Sequence, residues 1–304
     1  MSRRDSEHHG VLAVDKPSGL TSHDVVQRLR RVARTSRVGH AGTLDPMATG
    51  VLVVMIGEAT KLGPYLTAED KRYLAEVTLG RSTDTLDAGG RVVTEGPLPS
   101  AWTQRRAELV ETALVEERRR TEQIPPAYSA ISVDGVRAHA LARRGEEPTL
   151  EPRPIEVRSL RCLDLTDDGR MSLEVHTSKG YYVRSLARDL GVALGCPAHL
   201  SRLRRTASGA FLVRDAVPLD ALLASEDWPA RLLALPVAAG RAMPTASLLP
   251  GSVLRARQGK RLADEDFIAP AGEGVFAAWV EPDGRVVAVG VRESASHRVL
   301  RGFV

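Results

Sequence analysis

Between Gly39 and Gly50 the chain reads Gly-His-Ala-Gly-Thr-Leu-Asp-Pro-Met-Ala-Thr-Gly, with three glycines and a proline in twelve positions. Glycine tolerates turns and close approaches that side chains forbid, so a ligand can come near the main chain here. Pro46 pushes Asp45 out of the helical region toward an extended geometry, which fixes where its carboxylate points. Taken alone, an Asp before Pro is a turn former more often than a catalyst. The stretch contains neither G-x-x-x-x-G-K-[ST] nor G-x-G-x-x-G, so it is not a phosphate loop or a dinucleotide fingerprint. None of the eight histidines falls in an H-E-x-x-H frame, and Cys162 and Cys196 belong to no C-x-x-C pair. No metal, disulfide framework or cofactor is therefore expected.

The elements that must carry this loop are legible on both sides of it. Gly10 to Lys16 reads as a short strand closed by a Pro-Ser-Gly turn. Thr21 and Asp24 form a capping box, followed by Val25, Val26, Leu29 and Val32 at helical spacing. Val51 to Ile56 is an apolar run of buried-strand length. Tyr73, Ala75, Val77 and Leu79 share one face of a strand over 72–79. A helix is expected over about 100–120. Val157–Leu165 and Met171–Thr177 form a hairpin about Asp167-Asp168-Gly169. Arg184 to Leu194 is helical and stops at Gly195. Strands and helices mix without a regular βαβ beat, which predicts an α+β fold with a mixed or antiparallel sheet. After a composition change near 237–251, the hairpin of Phe276–Val280 and Arg285–Val291 predicts a small β-rich C-terminal domain.

The 304 residues contain 42 Lys and Arg against 38 Asp and Glu, a formal charge of +4. Only Lys16, Lys61, Lys71, Lys179 and Lys260 are lysines, so arginine carries the basic character. A GC-rich genome accounts for that as readily as a need to grip phosphates, which planar guanidinium groups do well. No apolar run approaches the roughly 20 residues of a membrane span. The opening MSRRDSEHHG has no apolar core of a secretory signal, and a cytoplasmic protein is expected.

The Gly39–Gly50 segment resembles the signature loop of the TruB family of tRNA pseudouridine synthases. Val14-Asp15-Lys16-Pro17 is similar to that family's opening lysine–proline motif, and Asp70-Lys71-Arg72-Tyr73 to its tyrosine motif. Arg81-Ser82-Thr83-Asp84-Thr85 follows in the family's order. Gln123-Ile124-Pro125-Pro126-Ala127-Tyr128-Ser129-Ala130 resembles the segment entering an inserted loop. Ser178-Lys179-Gly180-Tyr181-Tyr182-Val183-Arg184-Ser185 and His199-Leu200-Ser201-Arg202-Leu203-Arg204-Arg205 resemble the two late motifs. Together these cover about residues 10 to 215.

The resemblance implies a pseudouridine-synthase catalytic domain over 10–236, with a mobile thumb inserted at about 125–145, and a PUA-like RNA-binding domain over 245–304. It implies isomerisation of uridine 55 in the T loop of tRNA, by breaking and re-joining the glycosidic bond of a flipped nucleotide. Asp45 takes the position of the catalytic aspartate, and Arg184 that of its cationic partner. Without the motif, a phosphate or surface arginine is the plainer account of Arg184. Tyr73 matches the tyrosine that stacks on the target base and helps to move a proton; a core tyrosine is the alternative, and one ring can be both. Tyr182, on the same face as Arg184 if that run stays extended, and Leu203, otherwise a helix-core leucine, match pocket residues. His40 matches the histidine that fills the vacated place in the RNA, or is an ordinary turn residue. Lys16, Arg202, Arg204 and Arg205 are the remaining substrate-binding candidates, and the inserted loop adds Arg137, His139, Arg143 and Arg144. The implied partner is the T stem-loop of tRNA, met by a monomer with no guide RNA and no membrane. Two rivals stand beside this: the catalytic subunit of a guide-RNA ribonucleoprotein, which usually carries lysine-rich tails absent here, and an RNA-binding module without catalysis, disfavoured by Asp45, Tyr73 and Arg184.

Overall fold

A computed structural model describes residues 7–133, 135–146, 148–294 and 296–303. The first six residues, part of the N-terminal stretch assessed above, and the side chain of His139 lie outside that description. The chain forms two compact units, one of Met1–Pro46, Gly50–Glu69 and Ser208–Val304, the other of Met47–Thr49 and Asp70–Ala207. Among the described residues no helix is long and apolar enough to cross a membrane.

In the first unit, strand Gly10–Lys16 pairs antiparallel with Thr49–Ile56, which pairs antiparallel with Val38–Ala41. Its other edge pairs parallel with Val217–Pro218 and antiparallel with Leu233–Ala234, so the sheet is mixed. Gly10–Lys16 and Thr49–Ile56 are apolar almost throughout because nearly every residue of both is buried. Helix Ser22–Val32 begins at the expected box: the Asp24 amide donates to Thr21 Oγ1, and the Thr21 amide donates to the Asp24 carboxylate. Val25, Val26 and Leu29 face inward.

The C-terminal hairpin is present as Phe276–Val280 and Val286–Glu293, within a five-stranded sheet that also holds Thr245–Leu248, Phe267–Ala269 and Ser296–Gly302. Trp279, fully buried, centres one side with Phe267 and Leu248. On the other side Ala278, Val286, Val289 and Phe303 join a cluster with Val11, Ala13, Val53 and Met55. The C-terminal sheet therefore belongs to the same compact unit as the N-terminal strands.

In the second unit the hairpin Val157–Leu165 and Arg170–Thr177 lies antiparallel beside Lys71–Leu79, with Ala198–Ser208 on the far side of that strand. Tyr73, Ala75, Val77 and Leu79 are all buried, as their alternation requires. Helices Trp102–Arg118 and Val183–Leu194 cover this sheet and touch each other. The second ends where Gly195 takes a left-handed φ of 68°, a conformation that glycine adopts without strain.

Three local expectations are corrected. The Gly39–Gly50 segment is not loop throughout, because Val38–Ala41 is a strand. Leu203 sits in strand Ala198–Ser208 rather than in a helix. Tyr182 and Arg184 do not share a strand face, because Tyr182 caps the helix and Arg184 is its second residue.

Candidate active site

The first unit holds Asp45, Lys16 and His40. After strand Val38–Ala41 the chain turns at Gly42, whose φ of 90° lies in the left-handed region, and it rejoins the sheet at Thr49, with Gly50 at φ 102°. Asp45 lies between them, half-buried, with buried Leu44 before it and exposed Pro46 after it. Both neighbours are fastened. The Leu44 amide donates to Ser22 Oγ at 2.8 Å, and Ser22 Oγ donates to the Leu44 carbonyl at 3.1 Å. The Pro46 carbonyl accepts from the Gly19 amide at 2.8 Å and from Lys16 Nζ at 3.3 Å.

Lys16 was expected at the substrate. Its side chain is instead fully buried, and Nζ also donates to the carbonyls of Pro17, at 2.9 Å, and Leu20, at 2.7 Å. A buried ammonium needs such acceptors in place of water, and here they tie the Pro-Ser-Gly turn to the loop. His40 lies in strand Val38–Ala41, opposite Val54, and is half-buried.

The second unit holds the other candidates. Tyr73, buried and opposite Val175, lies on the strand against which helix Val183–Leu194 packs. Arg184, in the first turn of that helix, is buried. Its guanidinium donates to the carbonyls of Thr85, at 3.0 Å, and Tyr128, at 2.9 Å, and Nε stands 3.7 Å from an Asp87 carboxylate oxygen. Asp87 is itself held by Thr85 Oγ1 at 2.7 Å and the Gly89 amide at 3.0 Å. Tyr182 is half-buried and Leu203 buried.

The arginines of strand Ala198–Ser208 divide by burial. The Arg202 side chain is 82% exposed and 3.8 Å from Glu76. Arg204 is partly exposed, and its Nη1 donates to Thr49 Oγ1 at 3.3 Å. Arg205, expected at the RNA surface, is instead buried, at 1% exposure. The inserted segment is a small hairpin, Ser132–Val133 with Val136–Arg137, leading into helix Ala138–Arg143. Arg137, Arg143 and Arg144 are exposed on it. Sequence reasoning gave no part to Ser22, Thr85 or Asp87, whose roles are visible only once distant segments meet. Among the described residues no cluster of three or more His, Cys, Asp or Glu side chains could hold a metal ion.

Comparison with known proteins places the chain in a family. A family model described as TruB family pseudouridylate synthase (N terminal domain) matches residues 30–183. A second, described as tRNA pseudouridylate synthase B C-terminal domain, matches residues 184–234. Over 96% of both chains, the protein is 44% identical to the tRNA pseudouridine synthase B of Mycobacterium sp. (strain KMS). It is 43% identical to the protein of that name from Thermobifida fusca, over 94% of this chain and 96% of that one. Among solved structures, a Cbf5-Nop10-Gar1 complex superposes with a TM-score of 0.74 at 25% identity, covering 97% of this chain and 85% of the other. The fold and these matches define an RNA-modifying isomerase of the pseudouridine-forming class. Within that class, the chain belongs to the TruB family of pseudouridylate synthases.

Proposed function

We propose that this chain isomerises uridine to pseudouridine at position 55 in the T loop of tRNA, acting as a monomer without a guide RNA. The N1–C1′ bond of the everted nucleotide breaks, the uracil turns, C5 bonds to C1′, and the C5 proton is lost as N1 gains one. No oxidant, phosphate donor or metal enters this balance. Asp45 supplies the carboxylate that acts at the ribose–uracil linkage, and Arg184 is its cationic partner. Tyr73 stacks on the base and helps to move the proton, Tyr182 and Leu203 line the uracil pocket, and His40 fills the space the base leaves. Arg202 and Arg204 meet phosphates. Burial of Lys16 and Arg205 supports supporting roles for both rather than direct RNA contact.

The observation that carries this assignment is the fastening of Asp45. In a chain of this family, the residues on either side of one half-buried carboxylate are pinned by Ser22, Gly19 and Lys16. A turn-forming aspartate needs no such support, whereas a reacting group does. We assign the catalytic domain to 10–236, with the insertion at 125–145 as its thumb. The C-terminal sheet of 245–304 is the auxiliary PUA-like RNA contact.

The test is purified protein alone with unmodified tRNA tritiated at uracil C5. Release of one equivalent of tritium, mapped to position 55, is expected. Silence without a guide RNA would overturn the stand-alone assignment.

A further inference from the structure

Within the second unit, the inserted segment is closed at its root by a two-residue antiparallel ladder, Glu122–Gln123 with Arg153–Pro154. Gln123 forms one rung of it, yet its side chain points elsewhere and is almost wholly enclosed, at 2% exposure. Its carboxamide oxygen accepts from the Tyr182 amide at 2.9 Å, and its nitrogen donates to the Tyr182 carbonyl at 3.2 Å. The two bonds fix the orientation of the carboxamide, because turning it over would set donor against donor and acceptor against acceptor. One side chain thus does for Tyr182 what a neighbouring strand would do, holding both of its backbone groups.

Tyr182 is the N-cap residue of helix Val183–Leu194, and its side chain makes no capping hydrogen bond to that helix. The direction of the first turn is thus set by how Tyr182 is held. Three more bonds continue the same seam. Ser185 Oγ and Arg188 Nη2 donate to the Ile124 carbonyl, at 2.9 and 3.0 Å, and Arg184 Nη2 donates to the Tyr128 carbonyl at 2.9 Å. The root of the insertion and the start of the helix are stitched together residue by residue, and Gln123 contributes its side chain from the root.

We propose that Gln123 is a positioning residue for pseudouridine formation: it sets the backbone of Tyr182, and with it the aim of the Tyr182 ring and the Arg184 guanidinium. This rests on the roles proposed above for Tyr182 and Arg184. Because Gln123 also belongs to the ladder that closes the insertion, displacement of that root would be felt at Arg184 through the same bonds.

Gln123→Leu keeps the volume and removes both bonds. Its single-turnover rate on C5-tritiated tRNA should fall roughly tenfold or more, with the KM for tRNA changed less than about twofold. Gln123→Glu adds a signature that simple loss of folding would not give. As a carboxylate it faces the Tyr182 carbonyl with an acceptor and should be slow; once protonated, its O–H replaces the lost N–H donor. Its rate relative to wild type should therefore rise as pH is lowered. Wild-type turnover at position 55 is the control on the underlying function: if wild type is silent, that function has failed rather than the part given to Gln123. With wild type active, a Gln123→Leu rate within twofold of wild type, or a raised KM at unchanged kcat, overturns the proposal. If Gln123→Leu does not fold, the Glu variant decides: recovery at low pH supports the proposal, and a pH profile parallel to wild type overturns it.

Discussion

A single hydroxyl, that of Ser22, holds Leu44 at both its amide and its carbonyl, at 2.8 and 3.1 Å. Ser22 is 1% exposed, at the start of a helix whose capping box is fixed by Thr21 and Asp24. The position of Asp45 is thereby referred to the frame of a helix rather than to a free loop. Ser22→Ala leaves a buried donor and a buried acceptor unmatched. It should lower the unfolding free energy by about 1–3 kcal/mol, measured by urea titration, and slow turnover while leaving tRNA affinity near wild type. An Ala variant with unchanged turnover would detach the clamp from the chemistry.

Asp45→Asn keeps the shape of the side chain and removes its charge. Turnover should be lost, with tRNA binding by filter retention within a few fold of wild type. Tritium release at the normal rate from this variant would sink the catalytic assignment.

The arginines of strand Ala198–Ser208 should separate by experiment as they do by burial. Arg202→Ala and Arg204→Ala each remove a cation from a solvent-facing position. Each should weaken tRNA binding and reduce the slope of log affinity against log salt by about one. Arg205→Ala, at a site only 1% exposed, should leave that slope alone and destabilise the fold by about 2–5 kcal/mol through loss of its buried stem. Equal salt slopes for all three variants would contradict this division.

Glu117 carries the pH dependence that the structure makes most explicit. Burial raises its carboxyl above the usual 4.5, while hydrogen bonds from Arg120 and Tyr181 pull the other way without prevailing. Burial also drives the Tyr181 phenol upward, so it remains a donor to Glu117 Oε1 at 2.8 Å. A raised acid binds its proton more tightly in the folded chain than in the unfolded one. Its contribution is therefore full below 4.5 and is lost as pH rises through the folded value. Glu117→Gln cannot ionise and should lose less stability over that rise, as urea unfolding from about pH 4 to 8 would record. Parallel curves for the two proteins would refute it.

Much of this architecture was legible because its signals are local. The box at Thr21 and Asp24, the alternation from Tyr73 to Leu79, the turn at Asp167–Gly169 and the stop at Gly195 each need only a few neighbouring residues. The arginine-rich strand resisted the same treatment: Arg202-Leu203-Arg204-Arg205 has no clean alternation, and only its surroundings decide that Arg202 is wet and Arg205 dry. Tyr182 misled for a related reason, since the residue that ends its extended run is the helix it begins. For Asp45 the motif marked the position, but the parts of Ser22 and Lys16 in holding it arise from contacts distant in sequence.

The cluster joining Val11 and Val53 to Val289 and Phe303 also constrains how the protein is made. Synthesis proceeds from the amino end, so the oily flank of the first strand must wait, uncovered, until residues 286–303 have been made. A transcript cut short before the last hairpin would yield a product that sticks to its neighbours, not a smaller working enzyme.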